Sequence, residues 1–435
     1  MSKVVKFGGS SLASAEQFKK VGNIIRADKE RKYVVPSAPG KRFSDDTKVT
    51  DMLYACYDLA DQGKSFKAEL DAIEARYQEI IDGLQLDLDL VDEFKTIEKN
   101  FKAKAGSNYA ASRGEYLNGI IMANYLGYDF IDAATVIFFD ENGEFDATKT
   151  NEVLRARLAE SKEAVVPGFY GAMPDGTVKT FSRGGSDITG SIVAKAAKAD
   201  VYENWTDVSG FLIADPRIID HPEAIETITY RELRELAYMG ATVLHEDAIF
   251  PVRQEGIPIN IRNTNAPEDN VGSTCQKSKY VITGIAGKKG FCSVNIEKDM
   301  MNSEIGFGRK VLQAFEENGI SFEHVPSGID TMTVFVHQDE FMHKEQKVVA
   351  GIHRLANPDT IDIESDLALI AVVGRGMKST RGTAGRIFSA LAHKNINVKM
   401  IDQGSSELNI IIGVANEDFE TAIQAIYDIF VITRL

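Results

Sequence analysis

Two glycine-rich turns, each lying between a strand-like run and a helix-like run, constrain the fold of this chain most tightly. The first is Lys6-Phe7-Gly8-Gly9-Ser10-Ser11, directly after a pair of valines. The second is Ser182-Arg183-Gly184-Gly185-Ser186-Asp187, and the helical stretch ITGSIVAKAAKA follows it. Glycine lets the backbone approach phosphate oxygens, and the free N–H groups of a helix start are ready anion ligands. The two turns therefore predict a phosphate chain held from two sides, which points to phosphoryl transfer.

The segments around both turns alternate between strand-like and helix-like patterns as far as about residue 275. Runs rich in valine and isoleucine read as short buried strands: VVKF, YVVPSA, AVVPGFY, VYENWTDV and IPINIRN. Longer amphipathic stretches lie between them, such as AEQFKKVGNIIRADKE and the stretch over 50–82. This alternation predicts an α/β domain with a largely parallel sheet, whose ligands gather at the carboxyl ends of the strands.

Beyond about residue 276 the chain carries the same pattern twice. Val311 and Ile387, 76 positions apart, begin two matching segments with the order helix, tight turn, strand, short loop, strand. We interpret them as two copies of a small βαββαβ unit. Two unrelated α+β stretches are the alternative.

The composition narrows the range of partners and of cell compartments. The formal net charge of −15 argues against nucleic acid and against an anionic membrane surface as the main partner. Three scattered cysteines, Cys56, Cys275 and Cys292, form no CxxC pair, which favours a reducing compartment. The chain shows no charged-then-apolar leader, and no apolar run approaches the ~20 residues that span a bilayer. We therefore expect a cytoplasmic protein.

The charged residues at the two turns differ in the groups that they can bind. Lys6 offers a compact positive charge to phosphates, and no GxxxxGK[ST] match is present, so a Walker-type site is excluded. Arg183 offers a planar fork for a carboxylate or a phosphate, while Ser186 or Asp187 has the alternative role of capping the next helix. Asp-Pro-Arg at 215–217 is either an ordinary turn or a phosphate contact.

Taken together, KFGGSS, SRGGSD, TDVSGFLIADPRI and the late RNT resemble the aspartokinases, which are members of the amino-acid kinase family. The match covers essentially the whole chain. It implies an α/β protein: an amino-acid kinase fold, with a largely parallel sheet sandwiched by helices, followed by a tandem ACT regulatory domain of α+β type. The implied limits are 1–275 for the catalytic domain and 276–435 for the regulatory domain. The first ACT unit covers about 291–360, and the second combines about 279–288 with 366–435.

The resemblance also implies an activity. The enzyme would transfer the γ-phosphate of ATP to the side-chain carboxylate of L-aspartate and give 4-phospho-L-aspartate, the first step towards lysine, threonine and methionine. Mg²⁺ is expected with ATP, bridging phosphate oxygens with few protein ligands of its own, and no metal site built from side chains is expected.

Individual roles carry over by matching motifs. The catalytic residues are Lys6 and Asp187. The residues near aspartate are Ser37, Thr50, Glu115 and Arg183. The residues near the nucleotide are Lys6, Gly8, Gly9, Ser10, Thr206, Asp207, Leu212 and Arg217. The residues near the allosteric effector are Met301, Asn302, Ser303, Glu304, Ile305, Ser327 and Asp330.

The tail implies feedback inhibition and pairing of subunits. Lysine is the leading hypothesis for the inhibitor because Glu304 and Asp330 can meet an ammonium group, and threonine, alone or with lysine, is the alternative. ACT units pair edge to edge, so a homodimer or a dimer of dimers is expected.

Three departures from the family pattern affect the nucleotide pocket. Thr242 stands where the family commonly has a lysine, Leu212 replaces a frequent tyrosine, and the loop at 41–48 is longer than in many relatives. Two alternatives stay open: an amino-acid sensor whose kinase domain is inactive, and an amino-acid kinase with a different acceptor.

Overall fold

The computed structural model describes residues 2–182, 184–208, 210–225, 228–240, 250–268 and 281–433. These residues cluster into two compact units. The first unit holds the described residues up to Phe211 together with 228–230 and 250–268. The second unit holds 212–225, 231–240 and 281–433.

A six-stranded parallel sheet forms the centre of the first unit, as the alternating pattern predicts. Its strands, in the order in which they lie side by side, are β3 (Asp129–Phe130), β4 (Ala164–Val165), β2 (Arg31–Pro36), β1 (Lys3–Phe7), β7 (Val201–Thr206) and β8 (Ile259–Asn263). A separate antiparallel hairpin joins β5 (Tyr170–Ala172) to β6 (Val178–Thr180). Since β1 lies between β2 and β7, the loops that follow these three strands open at one edge of the sheet.

Helices accompany this sheet along the chain. Their bounds are α1 Ala15–Arg26, α2 Val49–Asp61, α3 Lys67–Leu84, α4 Val91–Lys102, α5 Ser107–Leu126, α6 Ala147–Ala159, α7 Gly185–Ala197 and α9 Phe250–Glu255. Between α7 and α9 in the sequence lies α8, Tyr230–Tyr238, which apart from Tyr230 belongs to the second unit. Ser14 caps α1 by accepting a hydrogen bond from the backbone N–H of Gln17. The buried face of α1 packs into a core with Phe7 and Trp205, whose rings stack 5.8 Å apart.

The long amphipathic stretch at 50–82 forms two helices rather than one. Helix α2 ends at Asp61, and α3 begins at Lys67. Gly63 between them has φ +70°, a left-handed conformation that glycine adopts without strain. The hydrophobic period continues through both helices because each buries one face against α5 or its neighbours, so periodicity alone missed the break.

The second unit is built on a six-stranded antiparallel sheet. Its strands, side by side, are β10 (Phe322–His324), β11 (Thr331–His337), β9 (Gly284–Glu297), β12 (Thr360–Val373), β14 (Asn409–Ala415) and β13 (Met400–Asp402). The helices are α10 Phe307–Glu316, α11 Gln338–Met342, α12 Glu345–Ala356, α13 Thr383–His393 and α14 Phe419–Tyr427. The same order of helix and two strands occurs twice, as the displaced pattern predicts.

The two halves of this sheet share their central strands. β9 and β12 are each 14 residues long, and they pair with one another over most of their length. The pairing register shifts between Glu364 and Ala368, which divides each strand into a part for each half.

Two segments that precede residue 275 in sequence belong to this second unit. In the segment 212–225, the carbonyl of Ile213 accepts a 2.6 Å hydrogen bond from the N–H of Ile285 at the start of β9. In α8, the buried Glu232 accepts hydrogen bonds from Thr283 and from the N–H of Arg375. The catalytic sequence thus supplies part of the regulatory unit, whereas the limits of the two ACT units stay predictions.

Candidate active site

Three loops meet where β2, β1 and β7 end. The N–H of Gly8 donates to the carbonyl of Trp205 at 3.0 Å, which joins the first glycine turn to the end of β7. On the other side, the N–H of Ser37 donates to the carbonyl of Phe7 at 3.0 Å. The first glycine turn therefore lies between the loop that begins at Ser37 and the corner at 206–208.

Two glycines let these loops approach closely. The N–H of Gly40 donates to the carbonyl of Gly9 at 2.8 Å. A Cβ atom on Gly40 would lie 2.6 Å from the carbonyl carbon of Gly9, and one on Gly9 would lie 2.8 Å from the carbonyl oxygen of Ala38. Because real Cβ atoms do not make such contacts, both positions require glycine.

An ion pair links β1 to the start of α7. Lys6 is 7% exposed, and its Nζ lies 2.6 Å from Oδ1 of Asp187. The same Oδ1 accepts a 2.8 Å hydrogen bond from the side-chain amide of Asn204 on β7. Within the described part of the chain, no residue donates a hydrogen bond to the other carboxylate oxygen of Asp187, Oδ2. The two predicted catalytic residues therefore lie in direct contact.

Helix α7 begins without a side-chain cap. Its N-cap is Gly184, which has φ +60° and makes no side-chain hydrogen bond to the helix. The capping role considered for Ser186 or Asp187 is therefore wrong, because both lie inside the first turn. This position frees the Asp187 carboxylate to meet Lys6. Arg183 lies outside the described residues, so its predicted contact with the substrate stays a prediction.

Glu115 is a buried carboxyl that forms no ion pair with the residues the structure describes. It lies on α5, 5% exposed, and its Oε2 has no hydrogen-bond partner in the described structure. Burial raises the pKa of this carboxyl to about 8, against opposing effects of hydrogen bonds from Ala38 and Ser186 and of the Lys6 charge. Such a group favours a bound cation, which would replace the lost hydration.

Two of the residues predicted near aspartate, Ser37 and Thr50, lie against α5 close to Glu115. The carbonyl of Ser37 accepts a 2.6 Å hydrogen bond from Asn118, one turn further along α5. A Cβ atom on Gly114 would lie 2.8 Å from Cβ of Ala38 and 3.7 Å from Oγ1 of Thr50. The loop after β2, the first turn of α2 and α5 thus form one wall.

The residues predicted near the nucleotide divide between the two units. Ser10 lies with Gly9 in a short 3₁₀ turn, and Thr206 donates a 3.1 Å hydrogen bond to the neighbouring Asp207. These residues belong to the first unit. Leu212 and Arg217 belong to the second unit, where Arg217 is exposed and its guanidinium pairs with Asp215. Thr242 lies outside the described residues.

The long loop at 41–48 is held by a cluster of charges. Asp46 accepts hydrogen bonds from Arg42 and lies 3.0 Å from the buried guanidinium of Arg76. The hydrogen bonds from Arg42 and the charge of Arg76 lower the pKa of Asp46 far below its usual range. Arg76 also donates a 2.8 Å hydrogen bond to the carbonyl of Gly40. The extra length of this loop is therefore ordered.

The predicted effector residues lie in two adjoining loops of the second unit. The N–H of Asn302 donates to the carbonyl of Ile329, and Oδ1 of Asp330 accepts from the N–H of Met300. The side chain of Met301 is buried, whereas that of Ile305 is fully exposed. The Ser303 hydroxyl donates a hydrogen bond to the carbonyl of Met300. Ser327 pairs with Met332 in an isolated antiparallel β-bridge.

Glu304, predicted to meet an effector ammonium, already has two lysine partners. Its oxygens lie 2.5 Å from Nζ of Lys298 and 2.6 Å from Nζ of Lys310. These contacts lower the pKa of the Glu304 carboxyl, with the hydrogen bond from Lys298 the largest cause. An effector ammonium would have to share this carboxylate or displace a lysine.

Three residues of the site escaped the sequence analysis: Arg76, Asn118 and Asn204. Each is a buried polar residue inside a helix or strand, and a polar residue within a largely buried segment is the only signal the sequence offers. Within the described ranges, no group of three or more His, Cys, Asp or Glu side chains could hold a metal ion. No described helix combines the length and apolar character needed to cross a bilayer.

Two family models match the chain. The model of the amino acid kinase family matches residues 1–263, and a model of the ACT domain matches residues 370–430. The first match covers more than half of the chain and includes both glycine turns.

Individual relatives extend this result to nearly the full length. Aspartokinase 3 of Bacillus subtilis is 40% identical over 446 aligned positions, which cover 98% of each chain. The solved aspartate kinase of Clostridium acetobutylicum, described as an allosteric enzyme, is 52% identical with a TM-score of 0.93. The match covers 98% of this chain and 100% of that one.

A more distant structure shares the fold. Aspartokinase III of E. coli, solved with aspartate and ADP, superposes with a TM-score of 0.79 at 23% identity and covers 99% of both chains. On the family models and the two near relatives, the chain belongs to the amino acid kinase family as an aspartokinase, an aspartate kinase that carries a C-terminal ACT domain.

Proposed function

We propose that the site transfers the γ-phosphate of ATP to the side-chain carboxylate of L-aspartate and releases 4-phospho-L-aspartate. The observation that carries this proposal is the buried carboxyl of Glu115, which forms no ion pair with the described residues and lies near Lys6, itself paired with Asp187. An amino-acid substrate brings the missing cation in its ammonium group. The phosphate-binding turn and the acceptor site then share one wall.

On the nucleotide side, charge and backbone donors act together. Gly9 and Ser10 present N–H groups at the end of β1, and Lys6 places its ammonium at the same end. Gly8, whose own N–H is bonded to Trp205, would let the backbone approach the nucleotide closely. As the γ-phosphoryl group moves, negative charge spreads over its equatorial oxygens, and a fixed cation stabilises that charge. Asp187 orients Lys6 for this contact, and Thr206 and Asp207 would face the nucleotide.

On the acceptor side, the wall formed by Ser37, Thr50 and Glu115 would hold aspartate. Glu115 would receive the α-ammonium, and the hydroxyls would bind carboxylate oxygens. Arg183, in keeping with its place in the SRGGSD motif, would grip a carboxylate. Holding acceptor and donor in line accounts for much of the rate, because phosphoryl transfer needs little covalent help from the protein.

Mg²⁺ supplies charge neutralisation on the phosphate oxygens when the nucleotide is bound. We propose that the nucleotide phosphates hold this ion, with few ligands from the protein.

We propose feedback inhibition through the second unit, with lysine as the effector. Aspartokinase III of E. coli has been solved with lysine and aspartate, at 23% identity and a TM-score of 0.74, which supports the same fold. Here the loops at 300–305 and 327–330 adjoin, and Asp330 and Glu304 provide carboxylates. Threonine, alone or with lysine, is the alternative, because Glu304 is already paired with two lysines.

We propose that the enzyme forms a homodimer or a dimer of dimers and works in the cytoplasm. The exposed side chains of Met300, Ile305 and Ile329 lie on the effector loops, which fits pairing of ACT units into a homodimer or a dimer of dimers. The described cysteines, Cys56 and Cys292, are free thiols, which fits a cytoplasmic enzyme.

One assay separates the proposed function from its alternatives. Hydroxylamine traps an acyl phosphate as a hydroxamate, so the enzyme with Mg-ATP is given aspartate, glutamate or no acceptor. We expect hydroxamate with aspartate alone. Product with glutamate instead would favour a different acceptor, and no product with any acceptor would favour a sensor with an inactive kinase domain. Adding lysine or threonine to the same assay identifies the effector.

A further inference from the structure

The side chains on the two faces of β7 make different contacts: those on one face bond to each other, and those on the other face bond to Asp187. Successive side chains of a strand point to opposite faces. Glu203 and Trp205 point to one face, where the indole donates a 2.9 Å hydrogen bond to the Glu203 carboxylate. Tyr202 and Asn204 point to the other face, and both hold Asp187. The Tyr202 hydroxyl donates to the Asp187 carbonyl at 3.1 Å, and the Asn204 amide donates to its Oδ1 at 2.8 Å.

Burying the polar side chain of Asn204 at this position costs free energy unless its amide forms hydrogen bonds. It is 1% exposed in the middle of a buried parallel strand, where an apolar side chain would pack without any need for a partner. Its partner is the same carboxylate oxygen that contacts Nζ of Lys6 at 2.6 Å. Asn204 and Lys6 therefore donate together to one oxygen atom.

We propose that Asn204 is a positioning residue for phosphoryl transfer, acting on Lys6 through Asp187. This inference rests on the proposed function. The amide hydrogen bond fixes the rotation of the Asp187 carboxylate, so that Oδ1 stays directed at Lys6 and Oδ2 stays turned away from it. Without the amide, the terminal torsion of an aspartate is broad, and either oxygen can take the lysine. Lys6 would then be drawn from the position where charge develops on the phosphoryl group.

This mechanism has a definite kinetic signature. The nucleotide is also held by backbone N–H groups that do not depend on Asn204, so its equilibrium binding should change little. The rate of the chemical step should change more, because a misplaced cation loses contacts made in the transition state. A fall in kcat with nearly constant nucleotide affinity therefore distinguishes positioning from binding.

Two substitutions test the role of the amide hydrogen. Asn204→Leu removes the donor and keeps the branching at Cγ, and Asn204→Asp keeps the shape and replaces the donor with an acceptor. We expect kcat to fall about 10-fold or more in both, with the affinity for ADP by calorimetry within about threefold of native. In Asn204→Asp, two carboxyls face each other, and a shared proton restores an O–H donor. The activity of this variant relative to native should therefore rise as the pH falls from about 8 to about 6.

Thr150→Val is the matched control, because Thr150 is a buried residue on α6 whose hydroxyl contacts the backbone of Phe138 rather than Lys6 or Asp187. It should lower the melting temperature as much as the Asn204 variants and keep native kcat. Native kcat within twofold in either folded Asn204 variant would overturn the inference, as would a flat pH ratio for Asn204→Asp. If native enzyme itself gives no aspartyl hydroxamate, the proposed function fails instead.

Discussion

The buried guanidinium of Arg76 donates a hydrogen bond to the carbonyl of Gly40, the residue whose own N–H holds the phosphate-binding turn at Gly9. The contact ties α3, which is remote in sequence, to the loop that begins at Ser37, which we propose faces both substrates. Because Arg76 also pairs with Asp46, a single side chain holds both the long loop at 41–48 and the glycine contact.

Replacing Arg76 should loosen both substrate loops together. We expect Arg76→Met to raise KM for ATP and for aspartate by about 10-fold each, since two preorganised loops lose their anchor. The protein should also lose roughly 2–4 kcal/mol of stability, because Asp46 and the Gly40 carbonyl lose a buried partner. Steady-state kinetics and urea unfolding measure the two effects. An effect on one KM alone would show that the loops are held independently.

The contact between Gly40 and Gly9 leaves no room for a methyl group. Gly40→Ala should lower activity by at least about 10-fold. The added Cβ would force the loop that begins at Ser37 away from the first glycine turn at Gly9. Gly385→Ala is the control: Gly385 lies in α13, and a Cβ there meets nothing within 4 Å. That change should be neutral or stabilising. Equal activity in the two variants would contradict the close contact.

Glu115 should make the unliganded enzyme less stable as the pH rises. Its pKa of about 8 lies above the unfolded value near 4.5, so the folded protein holds a proton that the unfolded chain has released. The free energy of unfolding should therefore fall by about 2 kcal/mol from pH ~6 to pH ~8 through this group. Glu115→Gln should lack this slope. Urea unfolding of both proteins without substrate, at the two pH values, measures the difference.

Binding of aspartate should ionise the same carboxyl. An ammonium beside Glu115 favours its charged form, so near neutral pH the enzyme should release about one proton per aspartate bound. Calorimetry in two buffers of different ionisation enthalpy counts that proton. Glu115→Gln should release none and should bind aspartate at least about 10-fold more weakly. Proton uptake by the native enzyme would exclude the proposed contact with the ammonium.

Lys6 and Asp187 should act as one unit. Lys6→Ala should reduce kcat on the order of a thousandfold, and Asp187→Asn by roughly 10- to 100-fold, because Asp187 works through Lys6. The double variant should then be little worse than Lys6→Ala alone. Additive losses in the hydroxamate assay would show separate roles.

The sequence was a good guide wherever a local rule decides the structure. The glycine turns, the strands around them and the repeated order of elements in the tail follow from backbone freedom and hydrophobic period, and the model confirms them. Tertiary partners had no local signal. The contact of Asp187 with Lys6 joins residues far apart in sequence, and the lysine partners of Glu304 depend on how a loop folds back. The break near Gly63 was missed because the period continues across it.

The shared strands of the second unit set a limit on how it can be divided. The ACT match at 370–430 begins inside β12 and excludes β9, although residues 284–289 of β9 pair with 368–373 of β12. A fragment cut to that match would present the open edge of β12 to solvent, where another copy could pair with it. The tail thus repeats one pattern twice in sequence, but its two halves share β9 and β12 in a single sheet. Neither half can be transferred to another protein without a strand that also belongs to the other half.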